Sequence, residues 1–481
     1  ADEDVLGLIY ISCKNIGNRK ATGSYYTSTK VVKNLISRLS FQEPVKVLDP
    51  CCGTGNFLLQ LPDVLPFDSI YGNDIDAASV KITRLNMALK YNVPVAAIYE
   101  HITGQDYLTD YAEKDFQYII GNPPWGYHFS EEEQSHLRTI YKSATGKNIE
   151  SYDVFIEQAL NHLTDNGHLA YVLPEAILNV KAHTNIRKTI LENCSIKNLV
   201  FLGNAFDGVQ CPCIILDLQC TRSPLSTVGM NVNTGTDSFT INIERTVSAE
   251  YFSFTTSDAE YNVLCKIRSM PNSAYLLDNA DFALGIVTGN NKEYISDIKN
   301  ENKEMILKGA DICKYHITRT NNYIVFKPEN FQQAAPTEMY RSPEKLLYRF
   351  ISSQLVFAYD DKQTLSLNSC NIVIPRLPGI KIKYVLAILN SRIAQFIYKK
   401  EFNSVKVLRS HIENIPIPTA DASTQAEIID LTDKLISGLQ ADEAEKVYNE
   451  LDLLVSKAFN LDSNEIEIIN KAVEGDNKFL A

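Results

Sequence analysis

No stretch of this sequence stays apolar for the roughly 18–20 residues that a membrane-spanning helix needs. Its start, Ala1-Asp2-Glu3-Asp4, is acidic where a secretion signal would be basic and then apolar, so export is not expected. Ten cysteines occur without metal-ligand spacing: Cys51 and Cys52 are adjacent, and Cys211-x-Cys213 has no second pair or histidines nearby. They read as small buried residues of a reducing cytoplasm, with no metal. Internal repeats and low-complexity tracts are missing too. Positive charge is short overall, 46 Lys and Arg against 58 Asp and Glu, and that balance argues at first against a nucleic-acid partner.

The deficit is uneven. Lys303 to Arg409 holds 17 basic and 8 acidic residues, a balance of +9; Ser410 to the end holds 5 and 15, a balance of −10. A local basic surface is all that phosphate contacts require. Tyr340-Arg341, Tyr348-Arg349, Lys381 to Tyr384 and Tyr398-Lys399-Lys400 interleave aromatic and basic residues inside that region.

At 481 residues the chain is long enough for two or three domains. Up to about residue 220, short β-rich runs alternate with helical stretches, the pattern of a mostly parallel sheet wrapped by helices. Strands are expected at 45–48, 69–72, 116–120, 168–173, 197–202 and 213–218, and helices at 77–91 and 151–163. Thr221 to Phe239 turns to Ser, Thr, Gly and Asn, a linker or an exposed hairpin. Residues 1–245 read as one α/β domain, 246–418 as a mixed α/β domain and 419–481 as a helical tail with acidic outer faces.

Leu48-Asp49-Pro50-Cys51-Cys52-Gly53-Thr54-Gly55-Asn56-Phe57 follows a strand and opens a helix. Gly53 and Gly55 let the backbone bend and approach a ligand without a Cβ. No phosphate-binding lysine accompanies them, so a nucleoside triphosphate is not expected. Asp49 suits a cationic group better than a pyrophosphate. Asp74 and Ile75 end the next strand, where an acid commonly bridges ribose hydroxyls, and Asp106 and Tyr107 end a further segment, placed for an adenine edge. A nucleoside carrying a zwitterion fits this set: S-adenosylmethionine.

Ile119-Ile120-Gly121-Asn122-Pro123-Pro124-Trp125 runs a strand into a rigid turn at the sheet's carboxyl edge. An aromatic amino group is a poor nucleophile because its lone pair is delocalised into the ring. Two acceptors aimed at its hydrogens, the Asn122 side-chain oxygen and the Pro123 carbonyl, would localise that lone pair, with Pro124 stiffening the turn and Trp125 stacking on the base. Positioning and electrostatics suffice without a strong base. A base inside a duplex must first be flipped out.

In this order of motifs the chain resembles the DNA adenine-N6 methyltransferases of type II restriction–modification systems, in the TaqI-like gamma arrangement. Arg19 to Thr27 resembles that family's N-terminal element, which implies that Tyr26 and Thr27 contact the cofactor's methionine part; Ser28 stands where proline is usual. Val200 to Phe206 resembles the segment whose aromatic, here Phe206, covers the other face of the flipped base. Leu284 to Asn291, Leu307 to Ile312, Ile372 to Pro375 and His411 to Pro418 resemble the target-recognition region. The resemblance implies a Rossmann-like catalytic domain with a mostly parallel seven-stranded sheet, in a monomeric, cytoplasmic enzyme acting on double-stranded DNA, with a cognate restriction endonuclease as functional partner. Other readings keep a place: the methylase part of a fused restriction–modification enzyme, whose nuclease would precede the glycine loop; an RNA or protein amino-methyltransferase with the same motif; and a non-catalytic specificity subunit.

Overall fold

A computed structural model of the chain describes residues 4–13, 26–41, 45–206, 211–318, 320–402 and 404–475. Arg19 to Tyr25 of the N-terminal element fall outside these, while Tyr26 and Thr27 fall within. Two compact units result, Ala1–Asp258 and Ala259–Ala481.

The first unit begins with α1 (Val5–Cys13) and α2 (Thr29–Ile36). There follow β1 (Val47–Asp49), α3 (Asn56–Leu59), β2 (Ile70–Asn73), α4 (Ala77–Lys90), α5 (Val95–His101) and β3 (Ile102–Thr103). β4 (Phe116–Gly121), α6 (Glu131–Ile140), α7 (Ser151–His162), β5 (Leu163–Pro174) and α8 (Thr184–Asn193) come next. β6 (Cys194–Gly203), β7 (Cys213–Cys220), β8 (Asn231–Asn233) and β9 (Ser238–Thr240) complete the sheet. The expected strands are all present, within a few residues at their ends. β3 was not expected: two residues carry no periodicity to read.

The strand order is β3-β2-β1-β4-β5-β7-β6-β8-β9. β1 pairs in parallel with both β2 and β4, so the chain winds outward in opposite directions from the β1/β4 pair. That reversal opens a crevice at the carboxyl ends of β1 and β4, the place where open α/β sheets bind ligands. β7 is antiparallel to β5 and β6. The expected core of seven strands is extended by two, because the Ser/Thr/Gly/Asn stretch forms the β8–β9 hairpin and β8 pairs in parallel with β6. β1 and β4 are buried along nearly their whole length, as strands covered on both faces must be.

In the second unit, strands 280–283, 370–375, 345–349 and 357–360 make an antiparallel sheet, and 295–296, 323–324, 304–307 and 365–366 a second four-stranded one. Three helices close the chain, Ala422–Ile436, Ala441–Ala458 and Ser463–Ala472, as the leucine and isoleucine spacing predicts. Asp421 and Asp462 cap the first and third of them with side-chain acceptors.

Much of the basic stretch is spent inside this unit. Arg392 pairs with Asp452, Lys400 with Glu260, Arg341 with Glu304, and Lys383 with Asp433. Lys314 donates to the Asn390 carbonyl and the Tyr448 hydroxyl. Tyr340, Tyr348, Tyr384 and Tyr398 are all buried. Their alternation with basic residues is therefore a core-and-surface alternation and not a row of stacking platforms. Lys345 and Asp360 form an ion pair at 2.5 Å with both side chains 0% exposed. Asp360→Ala would leave the Lys345 ammonium buried without its counter-charge and is expected to destabilise this unit by about 3–5 kcal/mol. A denaturant melt of the variant with an unchanged midpoint would contradict that.

Candidate active site

At the carboxyl end of β1 the chain turns through Pro50-Cys51-Cys52-Gly53-Thr54-Gly55 into the short helix α3. Gly55, at φ +90°, precedes α3 in the left-handed conformation. A Cβ there would also press on Thr83 at 3.0 Å. The loop is held from below and behind. The Cys52 N–H donates to the Asn73 carbonyl (2.8 Å), the Gly53 N–H to Asp74 Oδ2 (2.8 Å), and Thr83 Oγ1 to the Gly53 carbonyl (2.7 Å). Asp4, just before α1, adds a further support: it accepts from Thr54 Oγ1, from Asn86 Nδ2 (3.0 Å) and from the Gly7 N–H (2.8 Å).

Asn73 ties three strand ends together. Its Nδ2 donates to the Pro50 carbonyl after β1 (3.4 Å) and to the Gln105 carbonyl after β3 (3.0 Å), and its Oδ1 accepts from Thr103 Oγ1 (2.9 Å) and the Gln105 N–H (3.0 Å). Asp74 spends both oxygens on backbone, Oδ2 on Gly53 and Oδ1 on the Asp76 N–H (2.8 Å). Asp76 caps α4 through Ala78 and also accepts from the Tyr10 hydroxyl (2.7 Å). Asp106 turns the chain after β3 by accepting from the Leu108 N–H (2.9 Å). Sequence reasoning passed over Asn73, Thr83, Asn86 and Asp4. Thr83 and Asn86 did carry a signal: two polar residues three apart on α4 that are both buried, hence on a helix face turned toward the loop.

Asp49, 1% exposed, lies beneath the loop. Its Oδ1 accepts from the Cys51 N–H (3.2 Å), while Oδ2 has no hydrogen-bond partner among the described residues. Burial pushes its carboxyl well above the usual carboxylate range, against the Cys51 hydrogen bond and helped by the nearby Asp74 charge. The carboxylate abuts Gly121, at φ +145°, where a Cβ would stand 2.6 Å from Asp49 Oδ1. β1 and β4 are neighbours, so a residue with a side chain would collide there.

Beyond Gly121, Asn122 enters the crevice. Its Nδ2 donates to Thr27 Oγ1 (3.0 Å), its carbonyl lies 3.4 Å from Cys51 Sγ, and its Oδ1 is buried with no partner among the described residues. Ser151, the first residue of α7 and fully buried, donates to the Pro124 carbonyl (2.6 Å) and accepts from the Tyr127 N–H (3.3 Å), pinning the turn. Two residues along, Asp153 holds His183 Nδ1 at 2.9 Å, and His183 Nε2 meets the Tyr152 hydroxyl at 2.7 Å, which anchors α7. Trp125 is buried and meets Phe206 edge to face, ring centroids 4.9 Å apart.

A cavity of about 480 Å³ occupies the crevice, within the range of small-molecule sites. Of the residues singled out from sequence, Tyr26, Thr27, Gly53, Asp74, Ile75, Asp106, Tyr107, Asn122 and Pro124 line it. Asp49, Gly55, Pro123, Trp125 and Phe206 are not on its wall. The sequence missed the aromatic part of the wall, Tyr127, Phe129 and Phe155, because these residues read equally well as core. No group of three or more His, Cys, Asp or Glu suited to a metal ion occurs among the described residues.

Such a crevice, with a glycine loop from β1 and an Asn-Pro-Pro turn from β4, defines an amino-group methyltransferase. Comparison with known proteins narrows the class. Residues 1–238 match the N-6 DNA methylase family, and residues 304–417 match the TaqI-like C-terminal specificity domain. The type II methyltransferase M.VspI of Vibrio sp. (strain 343) is 29% identical over 312 residues, 64% of this chain and 74% of that enzyme. The type II methyltransferase M.CvrRI of Paramecium bursaria Chlorella virus XZ-6E is 31% identical over 166 residues, 34% and 40% of the two chains. Among solved structures, the type IIL restriction–modification enzyme MmeI in complex with DNA shares the fold, with a TM-score of 0.58 and 13% identity over 99% of this chain and 81% of that one. The chain thus carries an N-6 DNA methylase match over its first 238 residues and a specificity-domain match after it. It is a DNA adenine methyltransferase of the restriction–modification kind, with the catalytic region ahead of the specificity domain.

Proposed function

We propose that the chain transfers the methyl group of S-adenosylmethionine to N6 of an adenine flipped out of double-stranded DNA. The observation that carries this is the Asn122 amide. Its nitrogen is held by Thr27 and its buried oxygen has no partner among the described residues, so a strong acceptor waits for a donor at the cavity. An adenine amino group supplies such a donor, and the Pro123 carbonyl is the second acceptor. Together they draw the N6 lone pair out of the ring and aim it at the methyl group.

The cavity residues fit this methyl donor. Gly53 presents a backbone with nothing within 4 Å of where a Cβ would stand, so a ligand can lie on it. Ile75, exposed at the rim, offers an apolar face for the adenine part, with Asp74 toward the ribose and Asp106 and Tyr107 toward the base edge. Tyr26 and Thr27 face the methionine part. Asp49 lies one layer down; burial alone favours its neutral form, and a cationic group bound above it would draw it toward the charged one. When bound, the donor contributes an electrophilic methyl sulfonium; the chain contributes orientation and the exclusion of water.

Trp125 and Phe206 would hold the two faces of the flipped base. A base cannot lie between rings that touch edge to face at 4.9 Å, so its entry parts them. The enzyme acts as a monomer in the cytoplasm, beside a cognate endonuclease. A fused methylase–nuclease, like the restriction–modification enzyme whose fold the chain shares, is the second reading; DNA cleavage by the full natural protein would favour it.

Expression in a methylation-free host, followed by mapping of modified bases across the genome, tests the main reading. N6-methyladenine at one short recurring sequence is the expected result. Its absence, with folded protein and bound cofactor verified, overturns the reading.

A further inference from the structure

We propose that the docking of α1 and the binding of the methyl donor are coupled, so that α1 acts as a latch on the glycine loop with Asp4 and Gly7 as its positioning residues. The inference rests on the S-adenosylmethionine reading above; the base that receives the methyl group does not enter it.

α1 reads Val5-Leu6-Gly7-Leu8-Ile9-Tyr10-Ile11-Ser12-Cys13, a sequence apolar enough for a core helix. The structure does not use it as one. Val5, Leu8 and Ile9 are 56%, 41% and 57% exposed, and among the described residues no side chain of α1 joins the core of the first unit. A helix of 9 residues is too short to hold its shape alone in water, so its order comes from what it touches. What it touches is polar. Asp4 caps it, with Oδ1 accepting from the Gly7 N–H at 2.8 Å. The same carboxylate grips the loop: Oδ2 accepts from Thr54 Oγ1, and Oδ1 accepts from Asn86 Nδ2, which also donates to the Thr54 carbonyl at 2.8 Å. Further along the helix, the Tyr10 hydroxyl donates to Asp76 Oδ2 at 2.7 Å. Thr54 and Asp76 both line the cavity. Gly7 permits the close approach, because a Cβ in its place would run into Thr54 Oγ1 and Asp4 Oδ2. One carboxylate thus starts the helix and braces the loop. A ligand that orders the loop then favours the docked helix, and the docked helix favours the ligand by the same factor.

Two measurements test the coupling: amide hydrogen exchange across α1 with and without saturating S-adenosylmethionine, and the dissociation constant of S-adenosylmethionine for the unaltered chain and its variants. Exchange in α1 is expected to slow when S-adenosylmethionine binds. Gly7→Ala is the sharpest variant. Alanine is a better helix former than glycine, so a helix that acted only through its own stability would be improved by it. It is expected instead to weaken cofactor binding by about 10-fold, the scale of a lost hydrogen bond to a charged group, with melting in the absence of cofactor close to that of the unaltered chain. Asp4→Ser keeps a capping oxygen but is too short to hold Thr54, and is expected to do the same. Ile9→Ala, on the exposed side of the helix, is expected to bind the cofactor as the unaltered chain does.

Exchange in α1 that is indifferent to bound cofactor would overturn the proposal. So would unchanged affinity in either latch variant, or a loss from Ile9→Ala as large as that from Gly7→Ala, which would make α1 a general scaffold. Where thermal melting shows Gly7→Ala to be unfolded, Asp4→Ser is read against Ile9→Ala in its place. Failure of the cofactor reading itself is distinguished because the unaltered chain would then not bind S-adenosylmethionine.

Discussion

Asn122→Ala is expected to slow methyl transfer by about 10²–10³-fold, the cost of removing one preorganised group that stabilises a transition state. Cofactor affinity should stay close to that of the unaltered chain. The two effects separate because the Asn122 side chain makes its one described hydrogen bond to Thr27, while the glycine loop is braced by other residues, Asn73, Asp74 and Thr83. Single-turnover transfer and equilibrium cofactor binding, measured on the same preparation, check this. Parallel collapse of both would show that Asn122 holds the fold of the crevice and is not a group acting on the amine. A rate within a few-fold of normal would move the chemistry to other acceptors.

Gly121→Ala is expected to lower both stability and activity sharply, although it adds only a methyl group to the residue beside the catalytic one. The new Cβ would stand 2.6 Å from Asp49 Oδ1, at a backbone φ of +145°. Both partners are fixed: β1 and β4 are hydrogen-bonded neighbours, and Asp49 is buried. The strained backbone costs about 1–3 kcal/mol, and the overpacking adds about 1–3 kcal/mol. Relief by displacing Asp49 would break its bond from the Cys51 N–H and distort the cofactor loop, so activity should fall along with stability. Thermal unfolding followed with and without the methyl donor checks it. An alanine variant with unchanged melting temperature would show that the two strands can part at no cost.

Much of the catalytic unit was legible in its sequence, for local reasons. A glycine pair after a buried strand, an acid at the next strand end, and Asn-Pro-Pro after a third are constraints on neighbouring residues, and each appears at the expected carboxyl end. The reading of the second unit was weaker. Tyr340-Arg341 and Tyr398-Lys399-Lys400 have the composition of a nucleic-acid surface, yet the tyrosines are core and Lys400 is held by Glu260. Alternating apolar and charged residues are common to both cases, and only packing separates them.

By itself, the sequence determined the chemical inventory and its order: a mostly parallel sheet, a loop able to lie against a nucleoside, an amide and a carbonyl for an amino group, and a helical tail. Tertiary structure alone decided who holds whom. Thr27 meets Asn122 across 95 residues, Asp4 meets Thr54 across 50, and Ser151 meets Pro124 across 27. Trp125 and Phe206 close on each other. Those partners are set by the strand order that puts β1 beside β4, and strand order is a property of how a sheet is wound, which no local spacing of residues encodes.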